Sequence, residues 1–293
     1  MELFSWLYIR VAELEETGEF PRDVFEKIHE AGLFALTIPE EYGGLGIDHL
    51  TLSMVNEEYG KVDAGFGLTM TLGGDTFNVV SGCEGSEEQK RYVAEKLLGG
   101  SLGAICITEP GAGSDAGAMR TTAVRDGDEW VLNGTKCFIT NGAVADLFVV
   151  FAVTDKTLGT KGISAFLVEK KHGIQVGKIE DKMGLHGSNT TDIILEDVRI
   201  PAANLLGKEG GGYKYCLRYL ETVRCLTMAF TIGIAQSALD HAVKYAKERV
   251  QFGKPIIKNQ GLGFMLADMQ IKLCASRALM HDTCRMMDIG YSV

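Results

Sequence analysis

The sequence has no C-x-x-C pair, no cluster of histidines and no surplus of basic residues, and each absence removes a class of function. Its seven cysteines are Cys83, Cys106, Cys137, Cys216, Cys225, Cys274 and Cys284. They lack metal-ligand spacing, and their odd number fits reduced, buried thiols in an intracellular protein better than a disulfide framework. The six histidines are scattered, which leaves no zinc-type constellation. Lys plus Arg number 29 against 39 Asp plus Glu, a net charge of −10. That balance argues against nucleic acid as the main partner, because phosphate backbones recruit basic surfaces. An anionic small ligand stays open, since local arginines can serve one. The opening MELFSWLYIR carries an acid at its second position and a very short apolar run, so it does not read as a signal peptide. No apolar stretch is expected to reach the length of a membrane span. There is no internal repeat, no alternation of strand and helix such as a doubly wound parallel sheet requires, and no G-x-G-x-x-G opening a helix.

What is present divides the 293 residues into three regions, about two domains' worth of chain by length, with a 46% hydrophobic fraction ample for a core. Residues 1–103 read mainly as helices. Phe25, Ile28, His29, Leu33 and Phe34 form a stripe at helical spacing over 22–34, EEYGGLG at 40–46 is a Gly-rich loop, and 50–60 and 87–99 are further helical segments. At about 104 the texture changes to short β-type runs: Trp130–Leu132, Phe148–Val153, Ile163–Val168 and Ile193–Ile200. Asn133-Gly134 reads as a hairpin turn between two of them. A compact antiparallel barrel or sandwich over 104–206 is expected. Beyond it, 214–250 reads as one long helix and 260–288 as a second, with Leu262, Met265, Met269, Leu273 and Leu279 or Met280 on one face.

The richest stretch is ICITEPGAGSD at 105–115, with CFITN at 137–141 about thirty residues on. Thr108 places a hydroxyl where an apolar strand stops. Gly111 and Gly113 flank Ala112 and let backbone N–H groups approach a ligand closely. Ser114 and Asp115 add polar side chains. CFITN again sets a hydroxyl, Thr140, beside a flat ring, Phe138. A site for a planar, phosphate-bearing cofactor is one reading; an ordinary Gly-Pro loop between strands is the other.

ITEPGAGSD, followed by WVLNGTKCFITNG at 130–142, closely resembles the flavin-binding signature of acyl-CoA dehydrogenases. The resemblance continues through 182–213 and through YAKERVQFGKPI at 245–256, and extends upstream to 20–46, in the family's order over nearly the whole chain. It implies an α+β fold: an N-terminal helical domain (1–103), a central antiparallel β-barrel (104–206) and part of a C-terminal helical bundle (207–293). It implies FAD, held by Cys106, Ile107, Thr108, Gly111, Gly113, Ser114, Phe138, Ile139 and Thr140. Within that set Thr108 and Thr140 hydrogen-bond the flavin ring and Phe138 packs on it. Ile105 stands where many relatives carry Tyr or Phe, so that side-chain contact is expected to be missing. Arg249, Phe252 and Gln260 match positions that reach the adenosine diphosphate end of FAD in a neighbouring subunit. Asn259 matches another such position only loosely. Ser114, Glu221 and Arg224 are implied to line the acyl-CoA pocket; a surface ion pair is the plain alternative for Glu221 and Arg224. As side chains, Cys106 and Cys137 read as small buried fillers, and the methionines of 265–287 as bundle core.

The family's activity is α,β-dehydrogenation of a saturated acyl-CoA to a trans-2-enoyl-CoA, with electrons passed to an electron-transfer flavoprotein. Acyl-CoA oxidases and enoyl-CoA reductases are close relatives. A homotetramer is implied, in the cytoplasm of a bacterium or the matrix of a mitochondrion. The family's C-terminal bundle has four helices, and this sequence contains two. The usual catalytic glutamate falls outside these residues. A minority branch places it just before the arginine of a D-x-x-R-like motif, a position occupied here by Val223 in Glu221-Thr222-Val223-Arg224. No catalytic residue is therefore assigned. Weak activity at most is expected, along with weak FAD retention and an uncovered apolar stripe that promotes association. Two alternatives are a non-catalytic flavin- or CoA-binding subunit and a piece of a split reading frame.

Overall fold

Phe25, Ile28 and Phe34 are buried as their spacing requires, yet the helix that carries the first two stops early. In the computed structural model, which describes residues 2–291, α1 (Glu2–Thr17) is followed by α2 (Arg22–Glu30). Gly32, at φ 70°, closes α2. Its N–H donates to the His29 carbonyl at 2.8 Å, and the Leu33 N–H to the Ile28 carbonyl at 3.0 Å, a Schellman ending that satisfies two orphan carbonyls. Phe34 therefore reaches the core from a loop, and Leu33 faces outward.

Three more helices complete the N-terminal layer: α3 (His49–Val62), α4 (Ala64–Gly82) and α5 (Glu87–Leu98). The side chains of Asp48 and Asp63 cap the first two. Ser86 caps α5 in a reciprocal box with Gln89. The sequence reading passed over α4, because the helix is apolar nearly all round and shows no stripe. Such a helix has to be buried, and α4 packs among α3, α5 and the following strand.

The β-region holds β1 (Gly103–Cys106), β2 (Thr122–Asp126), β3 (Glu129–Thr140), β4 (Leu147–Val153), β5 (Ile163–Glu169), β6 (Gln175–Ile179), β7 (Thr190–Pro201) and β8 (Leu205–Leu206). Their order is β6-β7-β3-β2-β4-β5-β8, with β1 added beside β4. The sheet is mixed where an antiparallel barrel was expected, and it stays open: β1 runs parallel to β4, and β2 meets β4 through one parallel pair. The reason is connectivity. β1 arrives from the helical layer, and the chain returns to that layer's edge to begin β4, where the Asp146 N–H bonds the Leu102 carbonyl at 2.9 Å. β4 is buried on both faces. Leu147, Val149, Phe151 and Val153 join the core shared with the helices. Phe148, Val150 and Ala152 join a second core enclosed by the sheet, around Trp130, Leu132 and Phe166.

Asn133-Gly134 is not a hairpin turn. The β2–β3 turn is Gly127-Asp128, bounded by the Asp126–Glu129 pair. Asn133 and Gly134 lie inside β3, at a bulge against β7. A Cβ on Gly134 would sit 2.4 Å from the Thr121 hydroxyl oxygen, and the Asn133 side chain exchanges hydrogen bonds with Asp197 at 2.9 and 3.0 Å. Close backbone approach selects this glycine.

α6 (Gly212–Glu248) and α7 (Gln260–Asp288) match the expected long helices. Between them β9 (Val250–Gln251) and β10 (Lys254–Pro255) make a small hairpin. Contrary to the sequence reading, α6 is long and apolar enough to cross a membrane by length and composition alone. Its packing accounts for the apolarity: it lies against α3, α4 and α7, with Leu226, Ala229, Phe230 and Ile232 buried. Gly60 of α3 and Gly233 of α6 bring the two backbones together, since a Cβ on Gly233 would lie 2.2 Å from the Glu57 carbonyl oxygen.

Candidate cofactor and substrate site

β1 ends at Cys106, and the chain turns at once. Glu109 and Ala112 exchange backbone hydrogen bonds at 3.0 Å each, pinching Pro110-Gly111 into a tight turn. A Cβ on Gly111 or Gly113 would meet nothing within 4 Å, so the space beside both backbones is open. Packing does not demand these glycines, and a ligand has room to approach.

The two motifs meet through a defect in β3. The pairing with β7 slips between Lys136 and Ile139. Freed from the ladder there, the Cys137 N–H donates to the Thr108 carbonyl at 2.9 Å. Phe138 takes the left-handed conformation at φ 58°, and its ring points outward, 61% exposed. A core role for Phe138 is thereby excluded. A large aromatic held exposed at a costly backbone angle is the kind of outlier that marks a functional surface. Thr108 and Thr140 are half-buried and Ser114 is exposed. Cys106, Cys137 and Ile139 are buried behind this wall, and burial pushes the Cys106 thiol up to about 12.

The support under the wall is an ion pair that the sequence reading missed. Lys136, 0% exposed, donates to the Glu109 carboxylate at 2.8 Å and to the Ile107 carbonyl at 3.0 Å. Glu109 also accepts the Arg120 and Thr121 N–H groups at 2.6 and 3.0 Å. Burial pushes the Glu109 carboxyl up, but Lys136 and these donors outweigh it and hold it below its ordinary value. Burial lowers Lys136, with Glu109 opposing. Both groups stay charged, because each has its partners in place. A further tie is Asn141, also left-handed at φ 65°, which donates to the Thr69 and Gly103 carbonyls at 3.0 and 3.2 Å and locks CFITN to α4 and β1. One signal was available in the sequence: a lysine at an inward-facing position of a strand needs an acid nearby.

Glu221 and Arg224 line a groove of about 390 Å³ between α6 and α7, with Cys225, Met228 and Met280 on its walls. Glu221 also borders a second groove of about 470 Å³ with Thr160, Lys161, Tyr213, Lys214 and Arg218. This second groove adjoins the motif loop, because Gly117 backs onto Thr160 and Tyr213. Val223 is 9% exposed, turned into the core. Arg249, Phe252 and Gln260 are not part of this wall. α6 begins against β5, and its 37 residues carry the chain about 55 Å on to Arg249. There Phe252 and Gly253, both at positive φ, form the tip of the β9–β10 hairpin, and Phe252 is fully exposed.

Family models for the acyl-CoA dehydrogenase N-terminal, middle and C-terminal domains match residues 7–101, 104–198 and 210–291. This chain belongs to the acyl-CoA dehydrogenase family. An acyl-CoA dehydrogenase of Bacillus subtilis is 43% identical over 94% of this chain and 74% of its own length. Butyryl-CoA dehydrogenase from Megasphaera elsdenii superposes with a TM-score of 0.95 at 38% identity, over 99% of this chain and 77% of that one. A chain from a study of the electron transferring flavoprotein of Acidaminococcus fermentans also gives 0.95, at 45% identity and the same coverage. The family is one of FAD-dependent oxidoreductases. The open glycine turn, the outward Phe138 and the two half-buried threonines fit that cofactor's flat ring and diphosphate.

Proposed function

We propose that these residues form the flavin- and thioester-binding part of a short-chain acyl-CoA dehydrogenase. The reaction is α,β-dehydrogenation of a butyryl-type acyl-CoA to its trans-2-enoyl-CoA, with electrons handed to an electron-transfer flavoprotein. The observation that supports it best is the joining of the two motifs at Cys137 and Thr108. FAD supplies the acceptor for a hydride leaving the substrate β-carbon. The Thr108 and Thr140 hydroxyls and the N–H groups around Gly111 and Gly113 hold the cofactor, and Phe138 covers one face. Ser114, Glu221 and Arg224 face the thioester, with Arg224 offering its guanidinium to the anionic CoA. In a tetramer, Arg249, Phe252 and Gln260 complete the adenosine end of a neighbour's site.

A second reading is a flavin- and CoA-binding chain without chemistry. Its sequence motive is Val223, a buried valine at the position where a minority branch carries its glutamate, so that this position supplies no base. Glu221 lies two residues earlier, about 200° around the helix, and we do not assign it as the base. Without a positioned base, proton removal at the α-carbon slows by about 10²–10⁴-fold. The deciding experiment is anaerobic flavin bleaching by butyryl-CoA. Bound FAD that butyryl-CoA bleaches supports the dehydrogenase, and bound FAD that stays oxidised supports the second reading. Loss of the bleaching in Glu221→Gln would identify Glu221 as the base. A folded protein that takes up no FAD would reject the site itself.

A further inference from the structure

Cys225 on α6 and Cys284 on α7 stand 59 positions apart in sequence, yet their sulfurs are 3.5 Å apart across the helix interface. Cys284 is fully buried, whereas Cys225 is half-buried and lines the 390 Å³ groove beside Arg224 and Met280. One sulfur of the pair is thus open to a small reagent, and the other is held behind it at contact distance. Among the described residues the other thiols are differently placed: Cys83, Cys106, Cys137 and Cys216 are buried, and Cys274 is exposed on α7.

We propose that Cys225 and Cys284 form a peroxide-responsive dithiol whose oxidation cross-links α6 to α7 at the wall of the groove. The geometry carries the chemistry. The Cys225 sulfur attacks one oxygen of hydrogen peroxide, the O–O bond breaks, and the thiol proton leaves with the departing hydroxide as water. Cys225 is then a sulfenic acid. Cys284 attacks that sulfur, the S–O bond breaks, and the Cys284 proton joins the departing hydroxide as a second water. Two thiols and one peroxide give one disulfide and two waters, with two electrons passing from sulfur to oxygen. The hydrogen bond between the two sulfurs holds the Cys284 thiol below its ordinary value, with Ser53 and His49 adding to this, and pushes the Cys225 thiol up. Cys284 is therefore the readier thiolate, suited to attack the sulfenic sulfur of Cys225 in the second step. A disulfide needs an S–S distance of about 2.05 Å, so closing the bond draws the two helices together at this level and narrows the groove. That last consequence rests on the acyl-CoA reading of the groove; the cross-link itself does not.

The test is peptide mapping of the intact protein after graded hydrogen peroxide, without reductant. The expected result is a Cys225–Cys284 linked peptide, two hydrogens lighter than its parts and reversed by dithiothreitol. It should appear at peroxide levels that leave Cys83, Cys106 and Cys216 as thiols. The linked protein should melt roughly 5–10 °C higher, because the bridge closes a long loop. Cys284→Ser should abolish the link and leave Cys225 trapped as a sulfenic acid by dimedone. The proposal is overturned if Cys225 and Cys284 both remain thiols at peroxide levels that oxidise the exposed Cys274, or if the wild-type protein carries its oxidation as sulfenic acid on Cys225 without a link. Loss of butyryl-CoA affinity on oxidation would add that the groove binds the thioester. An unchanged affinity with the link present would count against that reading of the groove alone.

Discussion

The candidate cofactor wall of the β-region and the arm formed by α6 and α7 are built on opposite terms. In the wall, Glu109 receives three partners, Lys136 spans two acceptors, and Asn141 ties three elements together. Phe138 is exposed at the place a ligand would cover. The arm has a narrow seam: Leu273, Met280 and Cys284 are buried on α7, while Phe264, Met265, Met269, Ile271 and Leu279 are exposed. The methionine stripe expected as bundle core is mostly solvent-facing here. The wall is over-determined by contacts within the β-region and to α4, and the arm leaves apolar surface for something else to cover.

That contrast can be broken most sharply at Lys136. Lys136→Met leaves Glu109 buried without its cation. Stability should fall by about 3–5 kcal/mol in chemical denaturation, with loss of any bound flavin. An unchanged midpoint would mean that Glu109 is satisfied by Arg120 and Thr121 alone. Next comes Gly233→Ala, whose Cβ meets backbone at 2.2 Å and has no flexible neighbour to displace. A loss of about 1–3 kcal/mol is expected, with the β-region's near-ultraviolet signal preserved. A smaller effect is acid sensitivity of the wall. The folded Glu109 carboxyl titrates below its ordinary 4.5. A depressed carboxyl contributes stability that is present above the unfolded value and is lost as pH falls through the folded one. Stability should therefore stay flat from neutrality to about 4.5 and decline below it, and Glu109→Gln should flatten that decline. Smallest in stability is the paired change Met269→Lys with Leu279→Lys, within about 0.5 kcal/mol. Its readout is association: light scattering should show the wild type self-associating with concentration and the variant far less. A wild type that stays monomeric at high concentration would mean the arm's apolar face is tolerated in water.

Much of the architecture was legible because periodicity is local. The two long helices appear near their expected bounds, and β4, β5 and β7 sit where β-type runs were read. α4 escaped because a helix buried all round has no polar face to set a period. Asn133-Gly134 misled because the same dipeptide serves a turn or a bulge, and only the pairing of β3 with β7 and the approach of Thr121 choose between them.

By itself the sequence determined the two motifs that bring Thr108, Ser114, Phe138 and Thr140 forward as candidate cofactor residues, together with the helical and β segments that hold them. Those are properties of composition and short-range spacing. The tertiary structure decided how they meet. The slip in β3 that joins Cys137 to Thr108, the left-handed turn that exposes Phe138, the Lys136–Glu109 pair beneath them and the contact of Cys225 with Cys284 all depend on residues tens of positions apart. Strand register and helix crossing fix such neighbours, and both are set by packing across the whole molecule, beyond the reach of any local pattern.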